Sequence, residues 1–279
     1  MRSIQSSRSR APRTLARTMV GGAIIALAAC SGGAGYGYVP PPTVIYNSNP
    51  SPVPGNVVSQ GFECCQVSEF GDQITFEPGT PRGLQQATVT MSDWAKKADW
   101  PSVGDAVGFD QALTLKIYAV NPGPTLGAVL ASTTQTFHIP WRPAADPTNC
   151  PSNPTKFQST PGAADTNCFN GLATQVSFDL SSLNVTAPDQ VVWGVSYNTN
   201  THGYAPTGVP GPYDSLNVGA EGTGATTGTD TNPAVAWLAG GSYPFCDGIA
   251  SPSALRPDTG CPVGSDWTGY TPEIMFTAT

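Results

Sequence analysis

Charged residues are scarce in this chain, which has 12 lysines and arginines and 19 acidic residues among its 279 residues. Five of the arginines lie within the first 17 residues, so the remainder has seven basic side chains against nineteen acidic ones, a net charge of −12. Nucleic-acid binding depends on clustered basic side chains that displace counterions from phosphate. The composition therefore argues against a nucleic-acid partner, and an anionic membrane surface would repel the same charge.

Histidine is almost absent, and the two that occur, His138 and His202, lie in no catalytic or metal-binding motif. The chain has no zinc-protease pattern, no phosphate-binding loop, no G-x-S-x-G elbow and no C-x-x-C pair. Paired acids could hydrolyse a polysaccharide, but sequence alone does not show which acids share a cleft. A non-enzymatic binding or structural role is therefore favoured, with an extracellular polysaccharide hydrolase as the alternative.

Long hydrophobic runs are also missing, since the apolar stretch 19–29 is too short to cross a bilayer as a helix. It follows a basic leader without acidic residues, and the combination is typical of an export signal. The stretch ends in Leu27-Ala28-Ala29-Cys30, which is followed by serine, glycine and alanine. This tetrad resembles the lipobox of bacterial lipoprotein precursors.

The resemblance to lipoprotein precursors implies a lipid anchor. Residues 1–29 would form the signal peptide, and cleavage would leave Cys30, acylated on its thiol, as the first residue of the mature protein. The expected location is outside the cytoplasm on the bacterial membrane, held by acyl chains that contribute roughly 0.8 kcal/mol per buried CH₂. Cleavage by the ordinary signal peptidase, followed by secretion, is the alternative.

The segment 30–60 is rich in glycine, serine, proline and asparagine, and includes Pro40-Pro41-Pro42 and a second proline cluster at 50–54. Few of its side chains could form a core, and proline keeps such a chain partly extended. We therefore predict a tether over 30–60 and a single folded domain over 61–279.

Glycine (31) and proline (28) are abundant, which favours turns and short strands over long helices. Apolar and polar residues alternate in several runs, most clearly at 113–120, and no run suits the helix of a βαβ crossover. These features predict an all-β, antiparallel β-sandwich, jelly-roll-like, with long connections at 140–171, 198–213 and 239–267. The predicted strands are 73–77, 87–91, 113–120, 128–130, 134–139, 174–180, 190–197, 215–218 and 273–276.

With Cys30 set aside, six cysteines remain, an even number for a compartment in which disulfides persist: Cys64, Cys65, Cys150, Cys168, Cys246 and Cys261. The simplest pairing closes two long connections, Cys150 with Cys168 and Cys246 with Cys261, at roughly 3 kcal/mol each. Cys64 and Cys65 would then form a vicinal disulfide, stay reduced or cross-link elsewhere. Sequence does not choose among the possible pairings.

Aromatic residues in or beside the connections are candidate ligand contacts. Exposed rings stack on sugar faces, and neighbouring Asp or Asn side chains bind hydroxyl groups. Packing over the ends of the sandwich is the alternative, and a surface protein is the alternative partner. The candidates for glycan binding are Trp94, Trp100, Trp141, Tyr204, Tyr213 and Trp267.

Two acidic residues, Asp72 and Asp110, precede predicted strands. Loop carboxylates suit Ca²⁺, a cation that binds oxygen ligands, although turn geometry alone also favours Asp before a strand. Calcium is therefore the one cofactor for which the sequence offers candidate ligands.

Four runs resemble bacterial extracellular β-sandwich modules of uncharacterised function: 69–74 (EFGDQI), 89–94 (VTMSDW), 114–118 (TLKIY) and 211–218 (GPYDSLNV). The resemblance covers most of 61–279. It implies an all-β fold and an extracellular location, and it assigns no activity and no catalytic residue.

Overall fold

The computed structural model describes residues 41–259 and 270–279, apart from 124, 223, 234, 241–245 and 247–250. These residues form antiparallel sheets in two layers, which confirms the predicted β-sandwich. Three predicted site residues, Cys30, Cys261 and Trp267, lie outside the described residues. No helix in the described part of the chain is long and apolar enough to cross a membrane.

Sixteen strands occur in the described residues, together with one helical turn, α1 (Phe62–Cys65). In chain order the strands are β1 (Thr43–Asn47), β2 (Val58–Gly61), β3 (Val67–Thr75), β4 (Leu84–Asp93), β5 (Gly108–Val120), β6 (Leu126–Pro140), β7 (Phe157–Gln158), β8 (Cys168–Phe169), β9 (Leu172–Asp179), β10 (Gln190–Ser196), β11 (Leu216–Glu221), β12 (Thr229–Asp230), β13 (Trp237–Gly240), β14 (Ser251–Pro257), β15 (Thr271–Pro272) and β16 (Ile274–Ala278). Short 3-10 turns lie at Lys97–Asp99, Ser181–Leu183 and Pro212–Ser215.

Two seven-stranded sheets make up the sandwich. The first has the order β1-β16-β4-β11-β15, with β2 beside β11 and β9 beside β4. The second has the order β14-β13-β3-β10-β5-β6, with β12 beside β3. The chain crosses repeatedly from one sheet to the other, as the predicted jelly-roll-like arrangement requires. Strands β7 and β8 form a separate small ribbon in the connection after β6.

The core lies between the two sheets and follows from the alternation in the strands. In β5 the side chains of Leu113, Leu115 and Ile117 are buried, and Trp193 of β10 lies opposite Ile117 in the register. Burying an aliphatic side chain of this size contributes roughly 1.5–3 kcal/mol. The clearest alternating run of the sequence therefore forms an interior strand of the second sheet.

The folded domain begins earlier than predicted, because residues 43–47 and 58–60 of the expected tether belong to strands β1 and β2 of the first sheet. Strand β1 pairs with β16, and its Ile45 and Tyr46 are buried. The Ser48 hydroxyl donates to the carbonyl of Ile274 at 3.2 Å and accepts from its N–H at 3.0 Å. A short Val-Ile-Tyr run suffices for an edge strand even between prolines, which edge strands tolerate.

One strand, β6, replaces the two predicted at 128–130 and 134–139. It pairs with β5 over nearly its whole length, including the polar Ser132 and Thr133 that interrupt the sequence pattern. Strand β6 lies at the edge of its sheet, so polar residues within it can face solvent. The pattern therefore predicted the strand but not its continuity.

A disulfide between Cys150 and Cys168 confirms one of the predicted pairs, with the Cα atoms 6.0 Å apart. Cys246 also takes part in a disulfide, whereas Cys64 and Cys65 are free thiols. The loop that contains Cys150 is also held by the buried Arg142, which donates to the carbonyls of Asn170 and Thr155.

Replacing Cys150 and Cys168 together by alanine is expected to lower the free energy of unfolding by roughly 3 kcal/mol. The reason is that the disulfide closes a loop of 18 residues and so restricts the unfolded chain. Urea denaturation of the full chain measures the loss. The matched control is the double alanine variant of Cys64 and Cys65, which also removes two cysteines but no bond that closes a long loop. Equal stability of the two double variants would contradict the expectation.

Candidate functional site

A pocket of about 370 Å³ lies beside strands β2, β4 and β11 of the first sheet. We call it the Trp94 pocket; its lining is Ser59, Gly61, Cys64, Cys65, Trp94, Asp214, Ser215 and Asn217. Strand register brings these residues together, since Asn217 lies opposite Gly61 on one side and Ser92 on the other. The N–H of Trp94 donates to the carbonyl of Ser215 at 3.0 Å, which joins the end of β4 to the turn before β11.

The Trp94 ring is exposed and yet held in one orientation. Trp94 as a whole residue is 42% exposed, and its Nε1 donates to Ser92 Oγ at 3.0 Å. Ser92 Oγ in turn donates to Asn56 Oδ1 at 2.7 Å. Gly171 leaves room for this contact, because a Cβ there would lie 2.4 Å from Nε1 of Trp94. An aromatic face fixed in this way needs little ordering when a ligand stacks on it.

The polar groups of the Trp94 pocket are also fixed by hydrogen bonds. Asn217 Nδ2 donates to Ser59 Oγ at 3.0 Å. The two oxygens of Asp214 accept from the backbone N–H groups of Asn200 at 2.7 Å and Gly211 at 3.0 Å. A carboxylate has about four lone-pair sites, so Asp214 keeps acceptor capacity toward the pocket. The pocket thus offers one apolar ring face with amide, hydroxyl and carboxylate groups around it.

Cys64 and Cys65 form a vicinal dithiol at the edge of the Trp94 pocket. Their sulfur atoms are 2.7 Å apart, and the Cys64 thiol is also 3.6 Å from the carbonyl oxygen of Gly61. The hydrogen bond from Cys64 lowers the pKa of Cys65 to about 7, whereas the same contact and burial raise the pKa of Cys64. Above about pH 7 the pair therefore shares one proton, with the thiolate on Cys65.

Glu63 ties the dithiol turn to the connection 198–213. Its carboxylate accepts from Thr199 Oγ1 at 2.6 Å and from the N–H and hydroxyl of Thr201 at 3.0 and 2.8 Å. Burial raises the pKa of Glu63, but these hydrogen bonds outweigh it and lower the pKa below its usual value. His202 Nδ1 lies 2.8 Å from Thr201 Oγ1 and 3.7 Å from Glu63. These contacts hold the loop, and in the part of the chain that the structure describes the His202 ring contacts Thr201 and Glu63, not a serine hydroxyl.

A second pocket of about 310 Å³ lies over the second sheet, lined in part by Lys116, Asn198 and Tyr204. Below it Glu69 is fully buried and accepts hydrogen bonds from the hydroxyls of Tyr118 and Tyr204. The ammonium of Lys116 is 3.5 Å from Glu69 and 4.2 Å from the ring centroid of Tyr204. Burial and the Glu69 charge raise the pKa of both tyrosines. The groups satisfy one another, so this network is a closed structural unit.

His138 lies between two acidic residues at one end of β5 and β6. Its Nδ1 is 2.8 Å from Asp110 and its Nε2 is 3.4 Å from Asp105. The hydrogen bond to Asp110 is the main reason why the pKa of His138 is raised, and Asp105 adds to it. Both ring nitrogens face carboxylates, so the cluster is an ion-pair network in which the imidazole has no free nitrogen for a metal.

The predicted calcium ligands, Asp72 and Asp110, do not come together. Asp72 of β3 lies opposite the core residue Trp193, and burial raises its pKa well above the ordinary value, with Asp230 adding to the shift. Asp110 lies in β5 and faces His138. Among the described residues, no group of three or more His, Cys, Asp or Glu side chains could hold a metal ion. Each of the two acids therefore lies within a strand and not on the loop before it, where the sequence predicts it.

The predicted aromatic candidates divide into exposed and packed rings. Trp94 and Tyr204 are exposed and line different pockets. Trp100 and Tyr213 are partly buried against the core. Trp141 was assigned wrongly, because it is buried, packs 4.8 Å from the ring of Phe109 and donates to a backbone carbonyl. A continuous row of exposed rings is thus absent from the described candidates.

Comparison with protein-family models, curated proteins and solved structures returned no match. Sequence reasoning missed Ser59, Asp214 and Asn217, which are small polar residues of types that occur in many loops. The signal that could have found them is the run 211–218, since the resemblance already singled it out and it contains two of the three.

Proposed function

We propose that the chain is an exported, lipid-anchored protein of the bacterial cell envelope that binds a glycan through the Trp94 pocket without chemically altering it. The observation that carries the proposal is the exposed ring of Trp94, held by Ser92 beside the fixed polar groups of Asn217 and Asp214. Sugar rings have apolar C–H faces and hydroxyl edges. This combination of one ring and several fixed polar groups suits both.

Export is supported by two independent features. The tetrad that ends at Cys30 resembles a lipobox. The Cys150–Cys168 disulfide is of a kind that persists in oxidising compartments and is rare in the cytosol. With a net charge of −12 after the leader, the domain would gain nothing from an anionic membrane surface, so acyl chains on Cys30 would supply the attachment.

The ring face, rather than the indole N–H, would contact the ligand, because Nε1 of Trp94 is already bound to Ser92. Asn217 and Asp214 would then bind hydroxyl groups at the edge of the same sugar. Both side chains are anchored by hydrogen bonds and would lose little conformational freedom on binding. This geometry fits a short segment of polysaccharide that lies across the pocket.

Replacing Trp94 by alanine is expected to weaken glycan binding about tenfold or more, the loss that one well-packed aromatic contact supplies. The ligand is first identified on a glycan array with the full chain, and its affinity is then measured by calorimetry. Trp94→Phe should retain part of the affinity. Tyr204→Ala is the matched control, since it removes the exposed ring of the other pocket and should leave binding unchanged.

Three results would contradict this assignment. If the chain bound no glycan on the array, the sugar hypothesis would be wrong. Equal losses of glycan affinity in Trp94→Ala and Tyr204→Ala would show that the glycan does not bind specifically at the Trp94 pocket. Release of reducing ends from a bound polysaccharide would show hydrolysis, the alternative function. In that case the pocket of about 400 Å³ around Asp105, Asp110 and His138 is the next site to mutate.

A further inference from the structure

The two free thiols of the described residues are adjacent in the chain and nearly in bonding contact. Cys64 Sγ and Cys65 Sγ are 2.7 Å apart, whereas a disulfide bond measures about 2.05 Å. Both residues line the Trp94 pocket, Cys64 being exposed and Cys65 half-buried. Among the described residues, no group of three or more His, Cys, Asp or Glu side chains that includes them could hold a metal ion. The chemistry available to the pair is therefore reaction with each other and with an incoming disulfide.

The residues on either side of the two thiols hold the turn that carries them in place. Phe62 is buried and stacks on Tyr197 with the ring centroids 4.0 Å apart. Glu63 is bound by hydroxyl and N–H groups of the connection that follows β10. The turn ends at Gln66, which has a positive φ of 59°. Because the turn is anchored in this way, the two sulfur atoms stay close together and little conformational freedom is lost when they bond.

We propose that Cys64 and Cys65 are a redox-active pair that closes reversibly to a vicinal disulfide by exchange with a disulfide compound. The oxidant is a small-molecule or protein disulfide, R–S–S–R. This proposal does not depend on a glycan being the ligand of the Trp94 pocket, because it rests on the sulfur atoms and the turn that carries them.

The exchange has two steps, and its atoms and electrons balance. The Cys65 thiolate attacks one sulfur of R–S–S–R, forms a mixed disulfide and releases R–S⁻. The thiol of Cys64 then loses its proton to solvent and attacks Cys65 Sγ, and the second R–S⁻ leaves. Two electrons pass from the cysteine pair to the oxidant, and the two thiolates released take up two protons to give two R–SH.

Adjacency makes the product easy to reduce again. A disulfide between neighbouring residues closes a very small ring, and departures from relaxed geometry make a disulfide more reducible. The Cys150–Cys168 disulfide spans 18 residues and serves as an internal standard for a structural bond. The two bonds should therefore respond to different ratios of reduced to oxidised glutathione.

The experiment equilibrates the full chain at a series of glutathione ratios, traps free thiols by alkylation and maps the peptides by mass spectrometry. The peptide with Cys64 and Cys65 should carry two alkyl groups at reducing ratios and lose two hydrogen atoms at oxidising ratios. Cys150 and Cys168 should stay joined throughout. Alkylation of the pair at every ratio would overturn the proposal. So would a vicinal bond that resists reduction as strongly as the internal standard.

Single variants separate an active pair from two unrelated thiols. Cys64→Ala should leave Cys65 as a stable mixed disulfide with glutathione, because no neighbouring thiol remains to displace glutathione from Cys65. The alkylation rate of Cys65, which follows its thiolate, should have its midpoint near pH 7 in the original chain and at higher pH in Cys64→Ala. An unchanged midpoint, or a mixed disulfide that also accumulates in the original chain, would contradict a cooperating pair.

Discussion

Replacing Asp93 by asparagine is expected to raise the free energy of unfolding at pH 7 by an amount on the order of 4 kcal/mol. Asp93 is the last residue of β4 and is fully buried. Burial is the main cause that raises the pKa of Asp93 from 3.8 to about 8. Its Oδ1 accepts from the N–H of Ala95 at 3.2 Å, while Oδ2 has no hydrogen-bond partner among the described residues.

The sign of the effect follows from proton binding. Between pH 4 and pH 8 the folded protein holds a proton on Asp93 that the unfolded chain releases, so the stability of the original chain falls as pH rises. Below pH 4 both states are protonated and this contribution vanishes. Asparagine is neutral at every pH and still presents an oxygen to Ala95. Its buried amide donor replaces the hydroxyl of the protonated acid, so little changes at low pH.

Chemical denaturation of both proteins from pH 4 to pH 9 measures the effect. The two stability curves should coincide near pH 4 and separate steadily up to about pH 8. Asp99→Asn is the matched control, because Asp99 is an exposed carboxylate six residues further on and should leave the curve unchanged. Parallel curves for the original chain and Asp93→Asn would show that Asp93 stays ionised in the fold.

The same titration bears on the candidate site, because Trp94 follows Asp93 directly. If the proposed glycan pocket is correct, deprotonation of the buried acid would loosen the turn that presents the ring. Glycan affinity should then decline above pH 8 in the original chain and remain constant in Asp93→Asn. The comparison links a stability measurement to the geometry of the pocket.

Alternation in the sequence was enough to predict the fold class, since core strands such as β5 and β16 alternate buried side chains with less buried ones over most of their length. Alternation did not predict the short strand β1, because the segment around it is rich in proline. Residues 43–47 lie near prolines and fall within the predicted tether, although pairing with β16 and the hydrogen bonds of Ser48 to Ile274 fix them in the sheet. The pairing partner is more than 200 residues away, which local pattern cannot reveal.

Only part of the candidate site could be predicted, for a similar reason. Residue type identified Trp94, but it equally selected Trp141, which packs on Phe109. Nothing in the sequence distinguishes an exposed tryptophan from a packed one when both lie beside connections. Asn217 joins Trp94 only through the register of β11 with β4, and that is a property of the folded sheet.

The second large effect concerns the proposed lipid anchor. Replacing Cys30 by serine is expected to abolish acylation, because a hydroxyl in place of the thiol gives the lipid no sulfur to attach to. A folded domain with a net charge of −12 has no electrostatic attraction to an anionic membrane that could compensate. Each buried CH₂ contributes roughly 0.8 kcal/mol, so loss of the acyl chains removes nearly all of the membrane affinity.

Metabolic labelling with an alkyne fatty acid tests this directly in a bacterial host that processes lipoproteins. The original chain should carry the label on Cys30 and sediment with membranes, whereas Cys30→Ser should be unlabelled. Ser31→Ala is the matched control, since it changes the next residue and leaves the thiol in place. Equal labelling of Cys30→Ser would contradict the lipobox, and an unlabelled original chain found in the medium would support secretion instead. Because the Trp94 pocket lies in the folded domain, its ligand affinity should be the same with or without the lipid, so the anchor and the binding site can be tested independently.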